Sequence, residues 1–239
     1  MKHVLTIGVI ALCFGSAAAY AQPSVDPIIE GFKLVESASV ADAIEQLYGE
    51  KPYMKHDMRP LFLTKFAGYA VTVMLKKEEH KEGSPATAGM LELIDKSAPG
   101  SVYVMVVEDG LDIAGMGAIM GTGMKYRGFT GAIIDGGLRD VHQLRRLQFP
   151  VYSRSIVPST SVNHYRVTGV NKPLVCAGVP VSMGDIIVAD EDGVVVVPKA
   201  RAAEVLKKAQ ELDDTEHRML PFVEKYKSIS EAVAKFGRI

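Results

Sequence analysis

The chain has 239 residues, 48% hydrophobic and 23% charged, with a formal net charge of -1. That is enough for one globular domain with a buried core, and too apolar for a disordered chain. No run of Lys and Arg with interleaved aromatics offers a surface for nucleic acid, so none is expected as a partner.

The chain begins with a short basic start, Met1-Lys2-His3, followed by an apolar run over 4–14 and then Ala19-Tyr20-Ala21, which fits an A-x-A cleavage site before Gln22. The apolar run is about half of the roughly 20 residues that a membrane-spanning helix needs. Residues 1–21 therefore read as a signal peptide, and the mature protein is expected in the periplasm with no membrane association. Leu12 is bulky for the position before a lipoprotein Cys13. Cleavage leaves Cys176 as the single thiol, expected to be a small buried hydrophobe rather than a nucleophile.

Residues 22–38 form an N-terminal lead with Pro23 and Pro27. Ser39 as N-cap, acidic Asp42 in the first turn, apolar positions at helical spacing and a closing Gly49 predict a helix up to Tyr48. The β-branched stretch 68–74 predicts a strand, 87–97 a helix and 101–107 a buried strand. A glycine- and methionine-rich segment, GMGAIMGTG over 115–123, then leads to a strand over 131–134 that ends in Asp135-Gly136-Gly137. A short helix over 141–147 and a strand from Pro150 follow.

From 165 to 198, short β-branched runs broken by Gly, Pro and Asn predict antiparallel or mixed strands, with Asp190-Glu191-Asp192-Gly193 as a hairpin turn. Residues 200–239 are a helical tail, one helix over 200–225 interrupted at Pro221 and a second over 230–236. Alternating helices and strands followed by clustered strands indicate an α/β fold, one domain over 22–239.

The chemistry centres on two segments. The glycines of 115–123 miss the G-x-G-x-x-G spacing by one place, but they expose main-chain N–H groups that a small anion can approach. Close packing against a strand or another subunit explains them about as well. Arg139 and Asp140 follow a strand, at the sheet edge where open α/β folds place ligands. Arg139 is a two-pronged donor for a carboxylate, and Asp140 a hard-oxygen ligand for a divalent cation. Asp140 also fits as the N-cap of the helix that follows it. His142 and His164 lack a spaced partner for metal binding and read as surface or packing residues.

GMGAIMGTGMKYRGFTGAIIDGGLRDVHQLRRLQFPVYSRSIVP, together with PVSMGDIIVADEDGVVVVP, resembles the family of the regulator of ribonuclease E activity A and the 4-hydroxy-4-methyl-2-oxoglutarate (HMG) aldolases. The shared pattern is a strand, DG-x-x-RD, an F-PV about ten residues on, and GD-x-x-x-x-D-x-DGV-x-x-VP; the resemblance runs from about Ser39 to the carboxyl end. It implies a swivelling β/β/α sandwich with a C-terminal helical extension, assembled as a homotrimer or hexamer with sites at subunit boundaries. It also implies a lyase that cleaves a small α-keto acid through a metal-stabilised enolate, by HMG-type aldol cleavage to pyruvate or by oxaloacetate decarboxylation. Arg139 would bind the substrate carboxylate and take part in catalysis, and Asp140 would hold magnesium, or manganese. Gly117, Ala118, Ile119 and Met120 would supply main-chain contacts.

The aldolase branch carries an acid 21 positions before the arginine, where this chain has Ala118. Asp109, Asp112 or a neighbouring subunit's acid such as Glu216 are candidates to replace it. The alternative is a non-catalytic periplasmic binding or regulatory module on the same scaffold.

Overall fold

The computed structural model describes residues 26–237, so the expected signal peptide lies outside the described residues. The chain runs α1 (Pro27–Leu34), α2 (Ser37–Tyr48), β1 (Arg59–Pro60), β2 (Phe66–Lys77), α3 (Ala88–Lys96), β3 (Ser101–Val107), β4 (Ala114–Met116), α4 (Ala118–Tyr126), β5 (Gly131–Leu138), α5 (Val141–Leu147) and β6 (Val151–Ile156). It continues with β7 (Tyr165–Val170), β8 (Leu174–Cys176), β9 (Val179–Val181), β10 (Ile186–Ala189), β11 (Val194–Val197), α6 (Ala202–Tyr226) and α7 (Ile229–Phe236).

Strands β6, β5, β3 and β2 are parallel neighbours, with β1 antiparallel on β6. The long β2 forks the sheet: residues 66–69 pair antiparallel with β10, and residues 73–77 with β7. A separate two-stranded sheet, β8–β9, lies over one face.

All seven residues of β3 are buried, as expected of a parallel strand covered on both sides. Tyr103, Met105 and Val107 face Met90, Met124 and Leu144 of α3, α4 and α5. Val102, Val104 and Val106 face Cys176, Val179 and Val181 of the small sheet. The layers are thus sheet, sheet and helices, the α/β architecture expected. The β10–β11 hairpin lies between two cores, because Ile187 and Val196 face the small sheet while Ile186 and Val197 face α1, α2 and α6.

Several local readings change. The lead contains α1, capped by Asp26, whose carboxylate accepts the Ile28 N–H at 3.0 Å. Helix α2 begins at Ser37 rather than after Ser39, because the buried Asp190 carboxylate accepts both the Ser37 N–H at 2.7 Å and its hydroxyl at 2.6 Å. Asp190 still opens the predicted hairpin turn, its N–H donating to the Gly193 carbonyl at 3.1 Å. Pro221 does not interrupt α6. The carbonyl that it deprives of a donor belongs to exposed His217, where water can replace the missing N–H. Strand β5 continues past Asp135-Gly136-Gly137 to Leu138, with a register irregularity against β6 between Ile134 and Gly137. Cys176 is fully buried in an apolar cluster that pushes its thiol well above the usual range, as its expected packing role requires. No helix among the described residues is long and apolar enough to cross a membrane.

Candidate active site

Arg139 and Asp140 lie between the end of β5 and the start of α5. Asp140 has a left-handed backbone, φ 58° and ψ 34°, and its side chain makes no capping bond to α5. The expectation that it caps its own helix is therefore corrected. Its Oδ2 accepts the N–H of Ala118, the first residue of α4, at 3.0 Å. The sharp left-handed turn aims the carboxylate back across the sheet edge at the neighbouring helix.

Gly117 permits this approach. A Cβ built there would lie 2.5 Å from Asp140 Oδ2 and 3.1 Å from Arg139 Cγ, so any larger residue would displace the pair. Helix α4 leaves the amides of Ala118, Ile119 and Met120 without an acceptor of its own, the first helical bond being Gly121 N–H to the Gly117 carbonyl at 3.1 Å. Asp140 takes the first of these amides. The N–H groups of Ile119 and Met120 remain as donors at the positive end of the helix. Gly117 and Ala118, named from the sequence, therefore sit beside Arg139 and Asp140, and residues 117–120 form the start of a helix.

Arg139 Nη1 donates to the Ser159 carbonyl at 3.2 Å, and Nε is 3.8 Å from Asp140 Oδ2. Ser159 is itself held, since its hydroxyl donates to the Asp112 carbonyl at 2.9 Å and accepts the Ala114 N–H at 3.0 Å. The guanidinium is thus oriented but not neutralised. Both charged side chains are about two-fifths exposed, so their own ion pair is weak and most of the arginine's five N–H donors stay available.

The pair opens onto a cleft of about 420 Å³, with His142 and Gln143 on one wall and Ile156 and Val157 on another. His142 is exposed, as expected from the sequence, and also lines this cleft. The only signal for it was its position two residues after Asp140. His164 instead pairs with Glu79 at 2.8 Å in the open. Asp109, Asp112 and Glu216 are not among the residues that line the cleft. No group of three or more His, Cys, Asp or Glu side chains gathers around a metal position among the described residues.

A second charged cluster had no sequence signal. Arg154 donates to Asp57 at 2.9 and 2.7 Å and to Asp135 at 2.9 Å, and Asp135 accepts the Ala177 N–H at 2.5 Å. It ties β5 and β6 to the 51–59 segment and to the β8–β9 turn. Asp57 and Arg154 are 97 residues apart, which is why the sequence is silent about it.

A sequence profile of the RraA-like family (Aldolase/RraA) matches residues 37–196. A protein of Halalkalibacterium halodurans, named provisionally as a 4-hydroxy-4-methyl-2-oxoglutarate aldolase, is 29% identical over 196 residues, 79% of this chain and 84% of that one. A Thermus thermophilus protein named 4-hydroxy-4-methyl-2-oxoglutarate aldolase is 28% identical over 102 residues, 42% of this chain and 62% of that one. Among solved structures, one from Pseudomonas syringae pv. tomato superposes with a TM-score of 0.79 at 27% identity, covering 92% of this chain and 99% of that one. That of Streptomyces coelicolor RraAS2, described as an unusual member of an RNase ES inhibitor family, gives 0.72 at 24% identity and shares the fold, covering 84% of this chain and 98% of that one.

Proposed function

The chain belongs to the RraA-like Aldolase/RraA family, and on that premise we propose that it is a carbon–carbon lyase of the aldolase type, acting on a small α-keto acid. The observation that carries this reading is that Arg139 and Asp140, only weakly paired with each other, line one cleft, while Asp140 also bonds the first amide of α4, whose next amides, Ile119 and Met120, have no acceptor within the helix.

Arg139 binds the substrate carboxylate through its free N–H groups, with Ser159 fixing its orientation. The amides of Ile119 and Met120 support the same anionic end. Asp140 suits a divalent cation, probed with magnesium or manganese. Its Oδ2 is engaged by Ala118, while Oδ1 accepts no hydrogen bond among the described residues. A single carboxylate facing open space matches a magnesium-type site that keeps several water or ligand oxygens. When bound, such a cation supplies Lewis-acid stabilisation of charge on the keto oxygen.

With HMG as substrate, the bond that breaks lies between the methylene carbon and the hydroxyl-bearing carbon. The hydroxyl proton leaves and its oxygen becomes a ketone. The bonding pair moves onto the keto oxygen, and the enolate takes a proton at carbon, giving two pyruvates. Decarboxylation of oxaloacetate forms the same enolate with loss of carbon dioxide. The Arg139 charge and the α4 amides stabilise the negative charge as it forms. Ala118 carries no acid to move the proton, so turnover depends on solvent in the open cleft.

Ile119, at the head of α4, is 87% exposed and Tyr126, at its end, 83%. This supports assembly of the chain as a trimer or hexamer in which another copy completes the site wall. The amino-terminal sequence supports export, so the keto acid would be met in the periplasm.

Purified protein is assayed for pyruvate release from HMG and oxaloacetate with magnesium or manganese, alongside Arg139→Ala and Asp140→Ala. Release that both substitutions abolish is the expected result. No release from either substrate, or release unchanged in Asp140→Ala, sinks the reading in favour of a binding or regulatory module.

A further inference from the structure

A larger cleft, about 670 Å³, lies away from Arg139, where α2, the 51–59 segment, the β8–β9 turn and the β10–β11 turn meet. Its size falls in the roughly 300–1,000 Å³ range of small-molecule sites. Its walls are tied together. Met54 N–H donates to the Val194 carbonyl at 2.9 Å, Lys55 N–H to the Ala177 carbonyl at 3.0 Å, and Tyr53 pairs with Val195. Arg154 anchors Asp57 from behind.

The chemistry of this cleft departs from the rest of a chain that is nearly neutral overall. Lys51, Lys55, His56 and Arg59 line it, against Asp192 as the lining acid. Lys51 and Lys55 form no ion pair among the described residues, and Arg59 donates to a neutral acceptor, the Asp192 carbonyl, at 3.4 Å. Some cations elsewhere are paired with carboxylates, as Arg166 is with Glu78 and Glu82 and Arg201 with Glu50; what sets this cleft apart is that three long cations gather on its lining without such a partner. Asp190, at the start of the nearby turn, is buried and bonds Ser37 rather than any of these cations. Between the cations the half-exposed Tyr53 ring presents apolar surface, and Met54, also on the lining, is almost fully buried.

We propose that this cleft binds a small organic oxyanion. Its phosphate or carboxylate group is held by Lys51, Lys55 and Arg59, and its apolar or aromatic body lies against Tyr53 and Met54. Clustered unpaired cations beside an apolar floor recognise both halves of such a molecule. The site is separate from the Arg139 cleft and does not depend on the lyase reading.

Titration calorimetry of the full chain with phenyl phosphate, benzoate and inorganic phosphate tests it, repeated with Lys55→Ala/Arg59→Ala, with Lys51→Ala and with Arg139→Ala. All the cleft substitutions are at exposed side chains, and circular dichroism verifies folding. The expected result is saturable binding of an aromatic anion that weakens with salt, with Kd raised about tenfold or more in the double variant and unchanged in Arg139→Ala. Preference for phenyl phosphate or for benzoate identifies the head group, and inorganic phosphate binds more weakly for lack of an apolar body. Absence of saturable binding by either aromatic anion, binding that survives the double substitution, or binding lost instead in Arg139→Ala overturns the proposal.

Discussion

The Asp140 carboxylate accepts the main-chain N–H of Ala118 at 3.0 Å, joining the turn after β5 to the first residue of α4 across 22 positions of sequence. One acid thus caps a helix that it does not precede and faces the cleft with its second oxygen. These two roles can be separated by substitution. Asp140→Asn retains an oxygen acceptor for Ala118 and should unfold in urea close to wild type, whereas Asp140→Ala should lose about 1 kcal/mol, the usual worth of a helix cap. Pyruvate release should fall to background in both. Full activity in the asparagine variant would mean that the negative charge is not needed.

Gly117→Ala should damage the same contact by steric means. The added methyl meets Asp140 Oδ2 at 2.5 Å and Arg139 Cγ at 3.1 Å, so the pair must move apart. A destabilisation of about 1–3 kcal/mol is expected from the forced shift, with loss of keto-acid turnover, measured by denaturant unfolding and the pyruvate assay. A variant of wild-type stability and activity would show that the turn yields freely.

Ala118 is where the chain departs from the aldolase pattern that it otherwise follows. If proton transfer limits turnover there, Ala118→Glu should raise kcat by about 10²-fold or more, the lower range for a positioned acid or base, with little change in KM. Steady-state kinetics on HMG with magnesium decides it, and an unchanged or lower kcat places the limiting step elsewhere.

Asp57 should make stability sensitive to acid. The Arg154 guanidinium bonded to it holds its carboxyl below the usual carboxylate range. The unfolded chain therefore takes up the proton first as pH falls, so this stabilisation is full above about pH 4 and fades below it. Urea midpoints from pH 6 down to pH 3 should fall more steeply for wild type than for Asp57→Asn. Parallel curves would show that the pair adds nothing.

Export predicts a chemical end. Expressed with its leader in a Gram-negative host, the protein should appear in the periplasmic fraction with Gln22 as its first residue by amino-terminal sequencing. Recovery in the cytoplasm with residues 1–21 intact contradicts the reading.

Much of the fold was legible along the chain. The strand over 101–107, the helix over 141–147 and the Gly49 stop agree with the structure because each rests on neighbouring residues: a continuous apolar run, helical spacing and a left-handed cap with φ 69°. The boundaries that moved did so through distant partners. Ser39 looked like a helix start until Asp190, 153 positions from Ser37, set the start earlier. His142 is the surface residue expected, and only the turn after β5 shows that this surface is the cleft wall.

The sequence by itself determined the order of helices and strands, the adjacent Arg139 and Asp140, and the glycine at 117, since these depend on backbone preference and side-chain chemistry at single positions. Only the tertiary structure decided which helix Asp140 caps, that Arg154 bridges Asp57 and Asp135, and that Lys51, Lys55 and Arg59 gather at one cleft. Each of these depends on where the sheet brings separated segments together, and a hydrogen bond or an uncompensated charge is defined by that distance in space.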